Sequence, residues 1–178
     1  MLYKDYIHFT DDVKNYLEKE YNAVLKGKGT ILGIKLRGTD YVQQKPYNHP
    51  VQPSSKEIID YIKTMSANLK WDYIYLATEE KAIEDEFTLA FPGKILINQR
   101  HYYDGDYSNR VLSDEQVNIG GTFNQDLEYL SSIYLLSKCD MLVSGMSGGT
   151  EAAMIMKEGD YTHLYIFEKG NYGVGKNK

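Results

Sequence analysis

Short apolar, β-rich runs alternate with amphipathic helical stretches along the chain, and each run breaks off on glycine, hydroxyl or charged residues. This alternation constrains the fold most, because strands joined by helices form a parallel sheet whose right-handed crossovers cover both faces. Residues 30–36, Thr-Ile-Leu-Gly-Ile-Lys-Leu, are apolar enough for a strand buried on both sides. Further strands are expected at 73–78, 94–98, 140–144 and 163–167. Helical spacing of Val13, Leu17, Tyr21, Val24 and Leu25 predicts a helix over 10–26. Ser54-Ser55-Lys56-Glu57 reads as a capping box for a second, carrying Ile58, Ile59, Ile62, Met65 and Leu69. Others are expected over 81–90, 125–138 and 150–156. The prediction is an α/β, Rossmann-like domain with a mostly parallel sheet of about five strands. Residues 1–29 would form an N-terminal helix and lead-in, 30–169 the domain, and the Gly-, Asn- and Lys-rich 170–178 a frayed tail.

Two segments fall outside the pattern. Residues 41–53 carry Pro46, Pro50 and Pro53 and are expected to be an extended, stiffened loop. Residues 99–121, with Tyr102, Tyr103 and Tyr107, are longer than an ordinary connection, which marks a functional loop or local disorder.

At 178 residues the chain has room for one domain of ordinary size. Its 20 basic residues against 25 acidic ones leave a net charge of −5, too little positive charge for bulk attraction to nucleic acid or an anionic membrane. An anion must therefore find a local pocket. The single Cys139 excludes internal disulfides and a Cys-rich zinc site. His8, His49, His101 and His163 lack metal-ligand spacing. No apolar run approaches the roughly 20 residues that span a bilayer, and Met1-Leu2-Tyr3-Lys4-Asp5 opens no signal core, so the expected location is the cytoplasm.

Ligands of open parallel sheets sit beyond the carboxyl ends of the strands. There the sequence places Arg37, Thr39 and Asp40, then Thr78, Glu79 and Glu80, then Ser144, Ser147, Gly148 and Gly149. A guanidinium, several hydroxyls and a glycine-rich helix start suit a phosphate ester, since free amides and the helix dipole attract an anion. The alternative is that Arg37 pairs with Asp40 to stitch the loop and the glycines only turn the chain. Gly145-Met146-Ser147-Gly148-Gly149 also matches the G-x-S-x-G nucleophile elbow, with Asp160 and His163 left to complete a serine-hydrolase triad. Asp104-Gly105-Asp106 resembles paired carboxylates that hold Mg²⁺ under a diphosphate, or is turn chemistry. His49, in Asn48-His49-Pro50, is held in the proline-stiffened loop over the rim.

Ile34-Lys35-Leu36-Arg37-Gly38-Thr39-Asp40 resembles the first signature of the fucosyltransferase superfamily that includes α1,6-, α1,2- and protein O-fucosyltransferases, a strand running through His-x-Arg into a polar turn. His49-Pro50, Tyr75-Leu76-Ala77-Thr78-Glu79-Glu80, Asp126 through Cys139-Asp140, and Met141 through Gly149 are similar to later signatures in the same order. The resemblance implies the GDP-sugar-binding, C-terminal half of a GT-B glycosyltransferase that works with inversion and without a metal. Under it Arg37 neutralises the β-phosphate, Ser147 and Gly148 donate to the same group, Asp126 accepts from guanine, and Asp40 and Glu79 order the pocket. Lys35 stands where the family has histidine, Gly38 where a second basic residue is common, and Lys45 where the α1,6 branch has a glutamate proposed as base, so no base is assigned. The resemblance further implies GDP-fucose or a related GDP-sugar as donor, a glycan acceptor, an N-terminal acceptor-binding domain outside this chain, and a role in surface polysaccharide biosynthesis, in the cytoplasm or at the inner face of the membrane. The competing expectation is a module that binds a nucleotide or phosphosugar without turnover.

Overall fold

The computed structural model describes residues 8–103, 105–108 and 122–174. Five strands form one sheet: β1 (Ile31–Lys35), β2 (Tyr73–Ala77), β3 (Ile95–Leu96), β4 (Met141–Gly145) and β5 (His163–Phe167). Their order is β3-β2-β1-β4-β5 and every pairing is parallel. Between and before them run α1 (Asp11–Val24), α2 (Thr39–Gln44), α3 (Ser55–Met65), α4 (Lys81–Ala90), α5 (Thr122–Lys138) and α6 (Gly148–Met156). This is the α/β, Rossmann-like arrangement that the alternation predicts. Strand order reverses direction at β1, so the crevice beyond β1 and β4 is the topological switch point, where such sheets hold their ligands.

The period of two along a strand sorts side chains onto the two faces. Leu32, Ile34 and Leu36 join Ile74, Leu76, Met141 and Val143 beneath Ile58, Ile62 and Phe87 of α3 and α4. Ile31, Tyr75, Ala77 and Leu142 face Ile133, Leu136 and Ala153 of α5 and α6. Gly33 lies on this second face, where a Cβ would sit 3.1 Å from Cys139 and 3.2 Å from Leu136. The missing side chain lets the end of α5 close onto β1. Lys35 continues the same parity and is carried under α5 and α6 rather than into solvent. Among the described residues no helix is long and apolar enough to cross a membrane.

Three local expectations are corrected. Residues 41–44, expected to begin an extended loop, belong with residues 39 and 40 to the short α2, because the proline restrictions act only from residue 45 onward. Asp40 starts that helix by accepting from the Tyr41 amide at 2.9 Å, and Lys45 ends it in a left-handed conformation with φ 48°. The third strand is two residues long instead of five. Residues 170–172, expected to fray, pair with the proline-rich loop: the Val51 amide donates to the Gly170 carbonyl at 2.8 Å, and the Asn48 amide to that of Tyr172 at 2.8 Å. Residues 175–178 of the expected tail lie outside the described residues, as do 109–121 of the long loop.

The capping box is present. Ser54 accepts from the Glu57 amide while Glu57 accepts from the Ser54 amide at 2.8 Å. Lys169, carried back by the chain after β5, donates to both Glu57 oxygens at 2.7 and 2.8 Å. Lys169 first, then the Ser54 amide and hydroxyl, hold the Glu57 carboxyl well below its ordinary 4.5, at about 2. A depressed carboxyl stabilises the fold above its unfolded value and loses that contribution as pH falls through the folded one. Thermal melts of Glu57→Gln are therefore expected to show a shallower loss of stability than wild type between pH 4.5 and pH 2, an effect kept small by solvent screening of this exposed pair.

Candidate functional site

The parity that buries Ile31 and Gly33 also decides the site. Lys35 is only 4% exposed, a burial rare for lysine without a partner. Its ammonium lies 3.4 Å from Glu79 Oε2, which follows β2 with the same parity, and 5.7 Å from the ring centroid of Tyr129 on α5. In register it stands between Ala77 and Ser144. Burial pushes the Lys35 ammonium below its ordinary range, the Glu79 charge opposes that shift, and the Arg100 and Arg37 charges add to it. A buried cation survives only with a charged partner, and Glu79 is that partner.

Two residues on, Arg37 emerges at the rim. Its Nη2 lies 3.3 Å from Asp40 Oδ1, its Nε 4.0 Å from Glu79 Oε1, and its guanidinium stacks on Tyr41 with Cζ 3.8 Å from the ring centroid. Tyr41 in turn meets the ring of His49 edge-on at 5.1 Å. The stitch between Arg37 and Asp40 is thus present, yet it does not use the whole guanidinium. Arg37 Nε and Glu79 Oε1 are buried atoms without a hydrogen-bond partner among the described residues, a costly state where no ligand completes them. Beside them the turn is strained: Thr39 has φ 44°, and its amide is held by the Glu80 carboxylate. A Cβ on Gly38 would overlap that carboxylate, so a side chain at position 38 requires Glu80 to move.

On the other side of Lys35, β4 runs into α6. Ser147 is the N-cap, with extended backbone (φ −159°, ψ 162°), and its Oγ accepts from the Thr150 amide at 3.2 Å. The Thr150 hydroxyl lies 2.9 Å from Ser147 Oγ, 2.8 Å from Ser144 Oγ and 2.8 Å from the Gly145 carbonyl, to which it donates. This network settles the elbow reading against a serine hydrolase. Ser147 lacks the strained backbone of a nucleophile elbow, its Oγ is committed to the cap, and His163 Nε2 lies 2.9 Å from the Tyr61 hydroxyl. Gly148 is exposed, and a Cβ there would meet nothing within 4 Å, so the space beside the positive end of α6 is open, where the first amides of a helix have no partner within it. The turn is clamped by Gln52, which donates to the Met146 carbonyl at 2.8 Å and to that of Pro50 at 3.1 Å.

The structure therefore brings Lys35, Arg37, Asp40 and Glu79 into one cluster, with Lys35 Cε 3.4 Å from the Cβ position of Gly149 next to Ser147 and Gly148. Asp126 is exposed on α5, where its charge and those of Glu128 and Glu79 raise the Tyr103 phenol beyond the effect of burial itself. No direct contact links Asp126 to the cluster. Asp104 lies outside the described residues, and Asp106 Oδ1 accepts from the Ser108 amide at 2.9 Å, which is turn chemistry. No grouping of acids, histidines and cysteine able to hold a metal occurs among the described residues.

Arg100 is the residue that sequence reasoning missed. It donates to the Thr78 carbonyl, to Asn98 Oδ1, to Ser132 Oγ at 3.0 Å and to the Tyr75 hydroxyl at 3.4 Å. It thereby ties the ends of β2 and β3 to α5 just behind Glu79. The rule that picks out Arg37, an arginine leaving a strand, finds Arg100 as well when applied to the third strand. Gln52 carries no such signal.

Searched against protein-family models the sequence matches none, and no curated protein matches it. Solved structures do share its fold. The NodZ fucosyltransferase from Bradyrhizobium superposes with a TM-score of 0.58 at 14% identity, over 97% of this chain and 49% of that one. NodZ α-1,6-fucosyltransferase soaked with GDP-fucose gives 0.54 at 14% identity, over 84% and 43%. POFUT1 in complex with GDP-fucose gives 0.54 at 13%, over 91% and 47%. The chain thus has the Rossmann-like fold found in fucosyltransferases, and spans a little under half the length of these structures.

Replacing Arg100 by Met would take the guanidinium donor from the Thr78 carbonyl and leave Asn98 Oδ1 with the Tyr75 hydroxyl at 2.7 Å, and is expected to lower unfolding stability by about 1–3 kcal/mol, read by urea denaturation.

Proposed function

We propose that this chain binds the diphosphate of GDP-fucose or a related GDP-sugar at the rim of β1 and β4 and serves as the donor-binding part of a metal-independent, inverting, fucosyltransferase-like glycosyltransferase. The observation that carries the reading is the pairing of two cations, Lys35 and Arg37, on one Glu79 carboxylate, with the Lys35 side chain reaching the first turn of α6 at Gly149. Cleaving a glycosyl diphosphate builds negative charge on the leaving oxygen, and donors fixed in advance around that oxygen lower the barrier. Arg37 would take the β-phosphate, with its Nε as the unspent donor, while the α6 amides approach the same group. One such donor is typically worth about 3 kcal/mol of barrier. Solved neighbours of the same fold were crystallised with GDP-fucose or GDP, which supports the choice of nucleotide.

Asp126 would reach the guanine once the ligand bridges from the rim to α5. A glycan acceptor, a further acceptor-binding domain, a place in surface polysaccharide assembly and a cytoplasmic or membrane-peripheral location belong to the same proposal. The second reading is a nucleotide-sugar-binding module without turnover. It is favoured by Lys45, an exposed cation ending α2 where the α1,6 branch has its proposed base.

Calorimetric titration with GDP, UDP and CDP is expected to show a preference for GDP. Arg37→Ala should weaken GDP by at least about 1.5 kcal/mol, the scale of a lost charge-assisted hydrogen bond. Added chelator should change nothing; strong sensitivity to it would contradict the metal-independent assignment. Equal affinity for the three nucleotides, or an Arg37→Ala variant that binds as well as wild type, would remove the reading. Consumption of GDP-fucose separates an enzyme from a module.

A further inference from the structure

Tyr129 sits three residues after Asp126 on α5 and carries no mark in the sequence, where it looks like one more tyrosine on a helix. The fold sets it over the site. Its ring stands 5.7 Å from the Lys35 ammonium, and its hydroxyl oxygen lies only 2.8 Å from the point where a Cβ on Gly149 would be. Glycine at 149 is what allows the phenol to come that close to the first turn of α6. The residue is 46% exposed, and its hydroxyl makes no hydrogen bond among the described residues. Arg37, Glu79 and Tyr41 are all near enough to act on the phenol electrostatically. Burial, the largest effect, pushes the phenol above its ordinary value despite the opposing Arg37 charge. The oxygen therefore keeps its proton, and remains a donor, at neutral pH.

An O–H that bonds to no described residue, beside the first turn of α6 and close to Lys35, is a neutral donor at the place where an anion would sit. We propose that Tyr129 is a ligand-binding residue of this site, its hydroxyl donating to the same phosphate that the α6 amides and Arg37 hold, while its ring covers the buried Lys35 ammonium. The assignment rests on the diphosphate reading above and adds to it a group for which no signature residue accounts. Arginine supplies charge from the β1 side; the tyrosine supplies direction from the α5 side, so one phosphate is gripped from two elements that only the tertiary fold brings together.

The test is calorimetric titration of wild type and Tyr129→Phe with GDP, inorganic pyrophosphate and guanosine. The Phe variant removes one oxygen that bonds to no described residue, so its melting temperature is expected to match wild type. It should bind GDP and pyrophosphate about tenfold more weakly, the loss expected for a hydrogen bond to a charged group, and guanosine unchanged. Gly149→Ala provides a second variant, since its Cβ must displace the hydroxyl. It should weaken pyrophosphate in the wild-type background and have little further effect on Tyr129→Phe, because the two changes remove the same contact. Tyr129→Phe binding GDP and pyrophosphate as tightly as wild type would overturn the inference, as would a loss that extends equally to guanosine. Wild type that binds pyrophosphate but not GDP would sink the nucleotide reading and leave the role of Tyr129 to the pyrophosphate arm; wild type that binds neither would sink both.

Discussion

The ion pair between Lys35 and Glu79 is the constraint around which the functional end of this domain is organised. A lysine that is 4% exposed cannot lie in a sheet without a counter-charge, and the one close carboxylate among the described residues, at 3.4 Å, comes from the neighbouring strand's exit. That requirement fixes Glu79, and Glu79 in turn faces Arg37 at 4.0 Å. Arg100 grips the carbonyl of the preceding Thr78 and secures the same strand end from behind. The exits of β1 and β2 are thus tied together through one buried cation.

The rim is also left incomplete. Arg37 Nε and Glu79 Oε1 lack hydrogen-bond partners among the described residues, Thr39 sits at positive φ, and a Cβ on Gly148 would meet nothing within 4 Å. A protein built only for stability would be expected to satisfy such atoms, because a buried unsatisfied polar group costs about 1–3 kcal/mol. Unsatisfied atoms and local strain gathered beyond the carboxyl ends of β1 and β4 support the proposed anion site.

Much of this was legible in the chain itself. Alternating apolar runs and helical stretches specified a parallel sheet, because strand and helix periods differ and each can be read locally. The capping box at Ser54 was readable for the same reason: its partners are three residues apart. Arg37, Asp40 and Glu79 could be singled out because a strand's exit in an open sheet is a functional address, Ser147 because it starts a helix, and Lys35 only through the resemblance, since it lies within the strand. The short α2 was hidden by the prolines that follow it, and the pairing of residues 170–172 with 48–51 was hidden because no local pattern encodes a contact across the chain.

Sequence by itself determined the elements, their parity and the kinds of group that stand at each strand's end, since these depend on neighbours a few residues apart. Only the tertiary structure decided that Lys35 would be dry, that Glu79 would serve two cations, and that Tyr129 would lean over Gly149. Those outcomes depend on distances between strands and helices far apart in the chain. They follow from the sheet register and from two glycines, at 33 and 149, whose missing side chains let α5 and its tyrosine close onto the site.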